Sequence, residues 1–177
     1  MRLSIVKNLK LLGLLLLLLL ATGLKAEGPF SSSRLGLGVN LGSPNGVSAK
    51  YWLNHRNAID LAVGGNGYYL GNYYSGVNLH VDYLWHYYGV FGSPRTQAYD
   101  HLPLYIGIGA MASSPYVADD RGVLTPQGVI GVRGVAGLSW LFRNAPFDVF
   151  ADLAPTLILV PNPAFIVDPE IGGRFYF

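Results

Sequence analysis

The strongest constraint on the fold of this chain is an alternation of apolar and polar residues over positions 166–177. Counted back in twos from the last residue, one face carries Phe177, Phe175, Gly173, Ile171, Pro169 and Val167, and the other carries Tyr176, Arg174, Gly172, Glu170 and Asp168. Successive side chains of a β-strand point to opposite sides. The pattern therefore predicts a strand with one apolar, aromatic face and one charged face.

The same two-residue alternation recurs along the chain, and no segment shows a 3.6-residue period over the length of a helix. Seven further strands are predicted, at residues 34–41, 46–54, 58–65, 76–86, 102–112, 128–142 and 147–159. The segments between them are rich in Gly, Pro, Asn and Ser, as turns are. Two longer polar loops are expected at 66–75 and 113–127, and a long connection at 87–101.

The composition excludes several classes of protein. Hydrophobic residues make up 51% and charged residues 12% of the chain, whereas charged residues are roughly 25% of ordinary globular domains. The absence of Cys excludes a disulfide scaffold and a thiolate metal site. From Glu27 onward there are eight Lys and Arg against ten Asp and Glu, a formal charge of −2. No basic patch is present, so no nucleic acid is expected as a partner.

The first 26 residues have the layout of a secretory signal peptide. Positive charge in residues 1–10 precedes the Leu-rich run 11–20, and small residues follow in 21–26. The run is too short for the roughly 20 residues that a membrane-spanning helix needs. We expect residues 1–26 to be the signal peptide and 27–177 the exported domain, with cleavage after Ala26 or, as the alternative, after Gly23.

An exported chain with eight alternating strands and a terminal Phe resembles the small eight-stranded outer-membrane barrels of the OmpA/OmpX-like superfamily. The resemblance covers Arg34 to Phe177. It implies an all-β, eight-stranded antiparallel up-and-down transmembrane β-barrel, located in the bacterial outer membrane after secretion to the periplasm. It also implies two partners, outer-membrane lipid and the barrel-assembly machinery. The assembly signal would comprise Ile171, Gly173, Phe175 and Phe177.

Barrels of this kind keep both chain termini on the periplasmic side, so the second, fourth, sixth and eighth strands run toward the periplasm. These strands end in outward aromatic residues, which predicts an aromatic girdle at the inner interface. It comprises Tyr51, Tyr83, Trp85, Trp140, Phe142 and, at the start of the seventh strand, Phe147. Pro155 fits less well, because its missing N–H predicts a bulge or an early strand end.

With the apolar faces outward, the charged faces line the lumen, which in an eight-stranded barrel is just wide enough to be filled by side chains. The predicted inward charged residues are Arg34, Lys50, Asp60, His80, Asp82, Arg133, Asp148, Asp152, Asp168, Glu170 and Arg174. Because unpaired buried charge is costly, we expect a plugged lumen with an ion-pair network. In that network Lys50, Arg133 and Arg174 would pair with Asp60, Asp82, Asp152 and Glu170.

No catalytic, cofactor-binding or metal-binding residues are predicted. Some barrels of this size modify lipid A with a His, a Ser and an acidic residue near the outer rim, but this sequence has no His-x-Ser. His80 beside Asp82 lacks a nucleophile, and His55, His86 and His101 fall at the periplasmic end. The acidic pair Asp119-Asp120 has no further ligand spacing for a cation.

These observations favour a non-enzymatic barrel with a structural, adhesion or envelope-stabilising role. Segments 66–75 and 113–127 would then offer a surface to an extracellular ligand. One alternative is a small channel or porin-like transporter, favoured if the Gly-rich inward faces leave a continuous path. Others are a lipid A-modifying hydrolase and a soluble periplasmic binding barrel.

Overall fold

A computed structural model of the protein describes residues 33–69, 72–118 and 122–177, and the predicted signal peptide lies outside them. The described strands are β1 Leu35–Gly42, β2 Asn45–Trp52, β3 Asn57–Tyr69, β4 Asn72–Tyr87, β5 Leu104–Ala118, β6 Leu124–Pro126, β7 Val129–Leu141, β8 Phe147–Val160 and β9 Ala164–Tyr176. A short helix, α1 (Gln97–His101), lies between β4 and β5. None of the helices in the described ranges has the length and apolar character to cross a membrane.

Eight of the strands close into a single antiparallel barrel. Each pairs with its neighbour along the chain, β4 pairs with β5, and β1 pairs with β9 to complete the ring. At this seam Leu37 lies opposite Phe175 and Gly38 opposite Arg174. Closure leaves no long unpaired strand edge in the ring formed by the described strands. The predicted eight-stranded up-and-down barrel is confirmed; β6 pairs only with the far end of β5.

The two predicted polar loops contain more strand than the sequence pattern indicated. β3 continues to Tyr69 and β4 begins at Asn72, so the expectation of a loop over 66–75 is wrong. The pairing shifts register between Gly65 and Gly67, and this shift breaks the alternation on which strand prediction depends. Likewise β5 continues to Ala118 and pairs with β6, within the predicted loop 113–127. The acidic pair at 119–120 lies outside the described residues.

Pro155 lies inside β8, so the expectation of a bulge or strand end there is wrong. β8 runs through it to Val160, and Pro155 lies opposite Val167 of β9. On the other side of β8, the pairing with β7 has a gap: Arg133 pairs with Thr156 and Ala136 pairs with Leu153, and Pro155 lies between these pairs. The residue lacking an N–H is therefore accommodated by a gap in one ladder, while the register shift of β7 lies between Ile130 and Gly131.

Side chains on the barrel strands divide sharply between the two faces. Outward residues such as Val39, Ile108 and Phe165 are 64%, 61% and 66% exposed. Inward residues on the same strands include buried Asn40 and Tyr105. A water-soluble protein buries its apolar side chains and exposes its charges. In this barrel large apolar side chains are exposed on the outer face, and the interior buries charged side chains together with apolar ones such as Trp52 and Phe150. This distribution is the one expected of a barrel whose outer face contacts lipid.

Candidate functional site

The barrel interior holds a buried cluster of charged side chains centred on Arg133, which we call the Arg133 cluster. Arg133 Nη2 donates to Glu170 Oε1 at 2.9 Å, and Nε lies 3.3 Å from Asp82 Oδ2. Nη1 donates to His80 Nδ1 at 2.8 Å. Asn40 Nδ2 donates to the second Glu170 oxygen at 2.9 Å. The guanidinium thus faces two carboxylates and donates one further hydrogen bond to His80, contacts that a buried charge requires.

A second buried cluster, the Arg174 cluster, forms around the arginine of the closing strand β9. Arg174 Nη2 lies 2.7 Å from Asp60 Oδ1, and Nη1 lies 3.7 Å from Asp148 Oδ2. Its Nε donates to Ser48 Oγ at 2.8 Å, and the guanidinium carbon lies 3.7 Å from the centre of the Phe150 ring. Hydrogen bonds, charge pairing and a cation–π contact therefore hold this side chain across the barrel.

Lys50 is placed differently from the two arginines. Among the described residues it forms no ion pair; its Nζ lies 2.9 Å from His86 Nε2. The ammonium also lies 4.6 Å from the centre of the Trp52 ring and 5.2 Å from that of Tyr105. Aromatic faces attract a cation through their quadrupole. The partners of Lys50 are therefore an imidazole and two rings.

The predicted pairing does not describe the surroundings of three inward charged residues, of which Asp148 also lies 3.7 Å from Arg174. Asp152 accepts a hydrogen bond from Tyr105 Oη at 2.6 Å. Asp148, named only as an inward residue by the sequence pattern, accepts from Tyr176 Oη at 2.8 Å. Arg34 is half-buried beside the start of β1 and has no ion-pair partner in the described part of the chain. The roles of the Tyr105 and Tyr176 hydroxyls were not predicted. Both positions fit the inward alternation, but the prediction of pairs considered only charged residues.

The hydrogen bonds assign both buried histidines to the neutral form. An arginine can only donate, so His80 Nδ1 must accept from Arg133, and its proton is on Nε2. His86 Nε2 faces the Lys50 ammonium, and His86 Nδ1 lies 3.1 Å from the carbonyl oxygen of Arg56, to which it donates. Neither imidazole retains a lone pair for proton abstraction. Within the described ranges, no three His, Asp or Glu side chains are arranged to hold a metal ion.

Inward glycines explain how side chains from non-adjacent strands meet. Gly109 of β5 lies between Asp82 of β4 and Arg133 of β7 in the register, so these two side chains meet over a position that has none. The same arrangement joins Ser48 to Arg174 across Gly38 at 2.8 Å and Tyr105 to Asp152 across Gly137 at 2.6 Å. The glycines predicted as a potential open path are therefore covered by their neighbours.

Comparison with known proteins identifies a solved structure with a similar fold. The chain is similar to the crystal structure of the N-terminal β-barrel domain of Pseudomonas aeruginosa OprF, with a TM-score of 0.56 and 19% sequence identity. The match covers 81% of this chain and 96% of that domain. The fold is that of an outer-membrane β-barrel. This confirms the predicted resemblance at the level of the fold. No protein-family profile and no curated protein matches the sequence.

The predicted girdle residues lie on the outward face at the barrel end that holds the start of β1 and the end of β9. Tyr83 contacts Trp85 with ring centres 4.8 Å apart, and Phe142 contacts Phe147 at 5.5 Å. Tyr51 and Trp140 are half-exposed at the same end. Of the predicted assembly residues, Ile171, Phe175 and Phe177 are exposed and Gly173 is half-buried. Phe175 and Phe177 contact each other at 5.1 Å.

The turns at this end carry a second aromatic contact outside the strands. The His55 imidazole stacks on the Tyr88 ring, with centres 4.5 Å apart. Burial raises the pKa of the Tyr88 phenol, and the neighbouring Arg56 guanidinium partly opposes that shift. The phenol therefore remains protonated over the physiological range, and this contact ties the β2–β3 turn to the residue after β4.

Proposed function

We propose that this protein is an integral β-barrel of the bacterial outer membrane with a closed lumen and a structural role in the cell envelope. The observation that carries the proposal is the reversed polarity of the barrel, with apolar side chains outside and ion pairs within. Lipid solvates such a surface, whereas water does not. The signal-peptide pattern at residues 1–26 supports export. The termini would then lie in the periplasm.

A closed lumen is supported by what covers the inward glycines. A Cβ on Gly36 would lie 2.7 Å from the Tyr176 ring, and one on Gly172 would lie 2.5 Å from the Phe150 ring. Both arginine clusters reach across the remaining width, and an eight-stranded barrel has no width to spare. These contacts disfavour the alternative of a small channel or porin-like transporter.

The hydrolase alternative lacks a reactive group in the described interior. His80 is buried, and its Nδ1 accepts from an arginine. No serine hydroxyl hydrogen-bonds to it within the described residues. A general base needs an available lone pair beside its nucleophile. These contacts disfavour a lipid A-modifying role for His80, and we expect an unchanged lipid A mass spectrum in cells with and without the gene.

The strand extensions beyond the barrel suggest where a ligand would bind. β3 and β4 form a hairpin that reaches Tyr69 and Asn72, and β5 pairs with β6. Both lie at the end opposite the termini, which faces the cell exterior in the proposed orientation. An adhesive or ligand-binding role would reside in these segments, 66–75 and 113–127.

Fractionation tests the membrane assignment directly. The full chain is expressed in a Gram-negative host, and membranes are separated and washed with urea. We expect the protein in the outer-membrane fraction, released only by detergent, and migrating faster on unheated than on heated denaturing gels. Release without detergent would instead identify a soluble periplasmic barrel.

A further inference from the structure

A cleft at the terminal end of the barrel has the features of an anion site. It has a volume of about 300 Å³ and is lined by His101 at the end of α1 and by residues 140–145 of the β7–β8 connection. The connection is ordered by its own backbone, because Phe142 N–H donates to Phe147 O at 3.0 Å and Phe147 N–H donates to Ala145 O at 2.8 Å. The wall formed by the β7–β8 connection is thus fixed by its own backbone hydrogen bonds.

Arg143 is oriented in this cleft by His101. Its Nε donates to His101 Nε2 at 2.7 Å, which leaves the Nη1 and Nη2 fork without a partner among the described residues. The side chain is exposed. A guanidinium fork matches a phosphate through two parallel hydrogen bonds, and it needs less ordering when the side chain is already held. His101 is therefore a positioning residue for Arg143.

The neighbouring side chains place the cleft at the level of lipid head groups. Trp140 and Phe142 line it and belong to the outward aromatic girdle. Aromatic residues of this kind sit at the boundary between acyl chains and head groups. An anion bound by Arg143 would consequently lie beside the head-group layer.

Charge around the cleft also favours an anion. Arg34, Arg56, Arg95 and Arg143 all lie at this end of the barrel. Asp100 is the sole acidic side chain that the described ranges place outside the barrel interior. The rim therefore carries an excess of positive charge, which attracts anionic groups at a membrane surface.

We infer that this cleft binds the phosphate of a membrane phospholipid head group. The inference rests on the proposed membrane insertion and adds a specific lipid contact to it. Arg143 supplies the paired donors, His101 holds its Nε, and Trp140 and Phe142 contact the part of the lipid next to the phosphate.

The test uses the full barrel in detergent with three soluble probes: dihexanoyl phosphatidylglycerol, dihexanoylglycerol and inorganic phosphate. Arg143→Gln is compared with Arg95→Gln, which removes the same charge from the same rim outside the cleft. We expect Arg143→Gln to weaken binding of the phosphatidylglycerol about tenfold, the size of a lost charge-assisted hydrogen bond. The Arg95→Gln variant should bind the phosphatidylglycerol with wild-type affinity. Dihexanoylglycerol, which lacks the phosphate, should bind neither the wild type nor the variants.

Two His101 variants test the positioning role. His101→Gln retains an acceptor for Arg143 Nε, whereas His101→Leu does not. We expect phosphatidylglycerol affinity close to wild type for His101→Gln and lower affinity for His101→Leu. Equal affinities would show that His101 does not position the arginine.

Several results would overturn the lipid assignment. Unchanged affinity in Arg143→Gln, or an equal loss in Arg95→Gln, would mean that no specific site exists. Inorganic phosphate binding as tightly as the lipid would indicate a free-anion site. Heat-modifiable migration is checked for every variant, so that a misfolded barrel is recognised. A wild-type barrel that needs detergent for extraction but binds no lipid would reject this inference and leave the proposed function intact.

Discussion

At the scale of single residues, the interior is organised by glycines that separate pairs of large side chains. Gly137 lies between Tyr105 and Asp152, whose side chains meet over it. On the same strand Gly134 faces outward, where the nearest atom to an added Cβ is Pro155 Cγ at 3.8 Å. The two positions provide matched sites for the same substitution, one crowded and one open.

Gly137→Ala is expected to destabilise the barrel by about 1–3 kcal/mol, the usual cost of overpacking. A Cβ at this position would lie 2.6 Å from the Tyr105 ring. Gly134→Ala should leave the free energy of unfolding nearly unchanged. It makes the same change to the backbone of β7, but its added Cβ does not clash with a neighbouring side chain. The measurement is urea unfolding of the barrel in lipid vesicles. Equal effects at the two sites would show that the interior is loosely packed.

Arg174→Met is expected to cost about 3–5 kcal/mol, because it leaves buried carboxylates without their cation. Asp60 lies 2.7 Å from Arg174 and would carry most of this penalty. Adding Asp60→Asn should therefore restore part of the loss. The same vesicle assay on both single variants and the double variant gives their coupling energy. Strict additivity would argue against an ion pair of structural importance.

At the scale of strands, the outward face and the closing seam make separate contributions. Outward residues of the barrel strands are apolar and exposed, whereas the β5–β6 extension carries exposed Thr125 beyond the ring. At the seam, Phe177 N–H donates to Leu35 O at 3.0 Å, and the Phe177 ring is 67% exposed. Strand β9 thus joins the first strand through its backbone and presents aromatic rings outward.

Ile108→Arg is expected to destabilise the barrel in vesicles by about 2–4 kcal/mol, the cost of a charge on the lipid face near the membrane midplane. Ile108 lies midway along the part of β5 that belongs to the barrel and is 61% exposed. Thr125→Arg, outside the ring, serves as the control and should have little effect. An unaffected Ile108→Arg barrel would imply that water surrounds this face.

Phe177→Ser is expected to lower the amount of heat-modifiable barrel in the outer membrane, if the assembly machinery recognises the outward aromatics at this end of β9. Phe165→Ser removes an equally exposed ring, 66% against 67%, from the other end of the same strand. The yield of the Phe165 variant should stay close to that of the wild type. Similar yields for both variants would contradict a signal at this end.

At the scale of the whole molecule, the interior carries more acid than base. Among the described residues, the buried cations are Lys50, Arg133 and Arg174, and the buried acids are Asp60, Asp82, Asp148, Asp152, Asp168 and Glu170. Polar donors supply the remaining contacts, as for Asp168, which accepts from Thr156 Oγ1 at 3.1 Å. In the proposed closed lumen this set of side chains would block steady ion flow, and its acidic excess would favour cations in any transient opening.

Purified barrel in a planar lipid bilayer is expected to give no steady current, because in the proposed closed lumen the two arginine clusters span the interior. Rare openings, if they occur, should favour K⁺ over Cl⁻, since the described part of the interior has six acids against three bases. The reversal potential in a KCl gradient measures this preference. Steady, high conductance from the wild type would reject the closed lumen.

The barrel architecture could be predicted from the sequence because its signal is local. A two-residue period states which side of a strand each residue faces, and this requires no knowledge of the neighbouring strand. The alternation therefore identified eight barrel strands and the inward position of residues such as Lys50 and Asp148. It failed at Gly65–Gly67, where a register shift breaks the period.

Which inward residues meet was decided only by the tertiary structure, because it depends on register and on what lies between two strands. Asp82 reaches Arg133 since Gly109 separates them in the ring, whereas Lys50 meets His86 and two aromatic rings. Charge alone indicated that the buried charged side chains must be paired, but not which residues pair with each other. The chain by itself thus determined a closed barrel with a charged lumen, and closure of the ring determined the contacts that fill it.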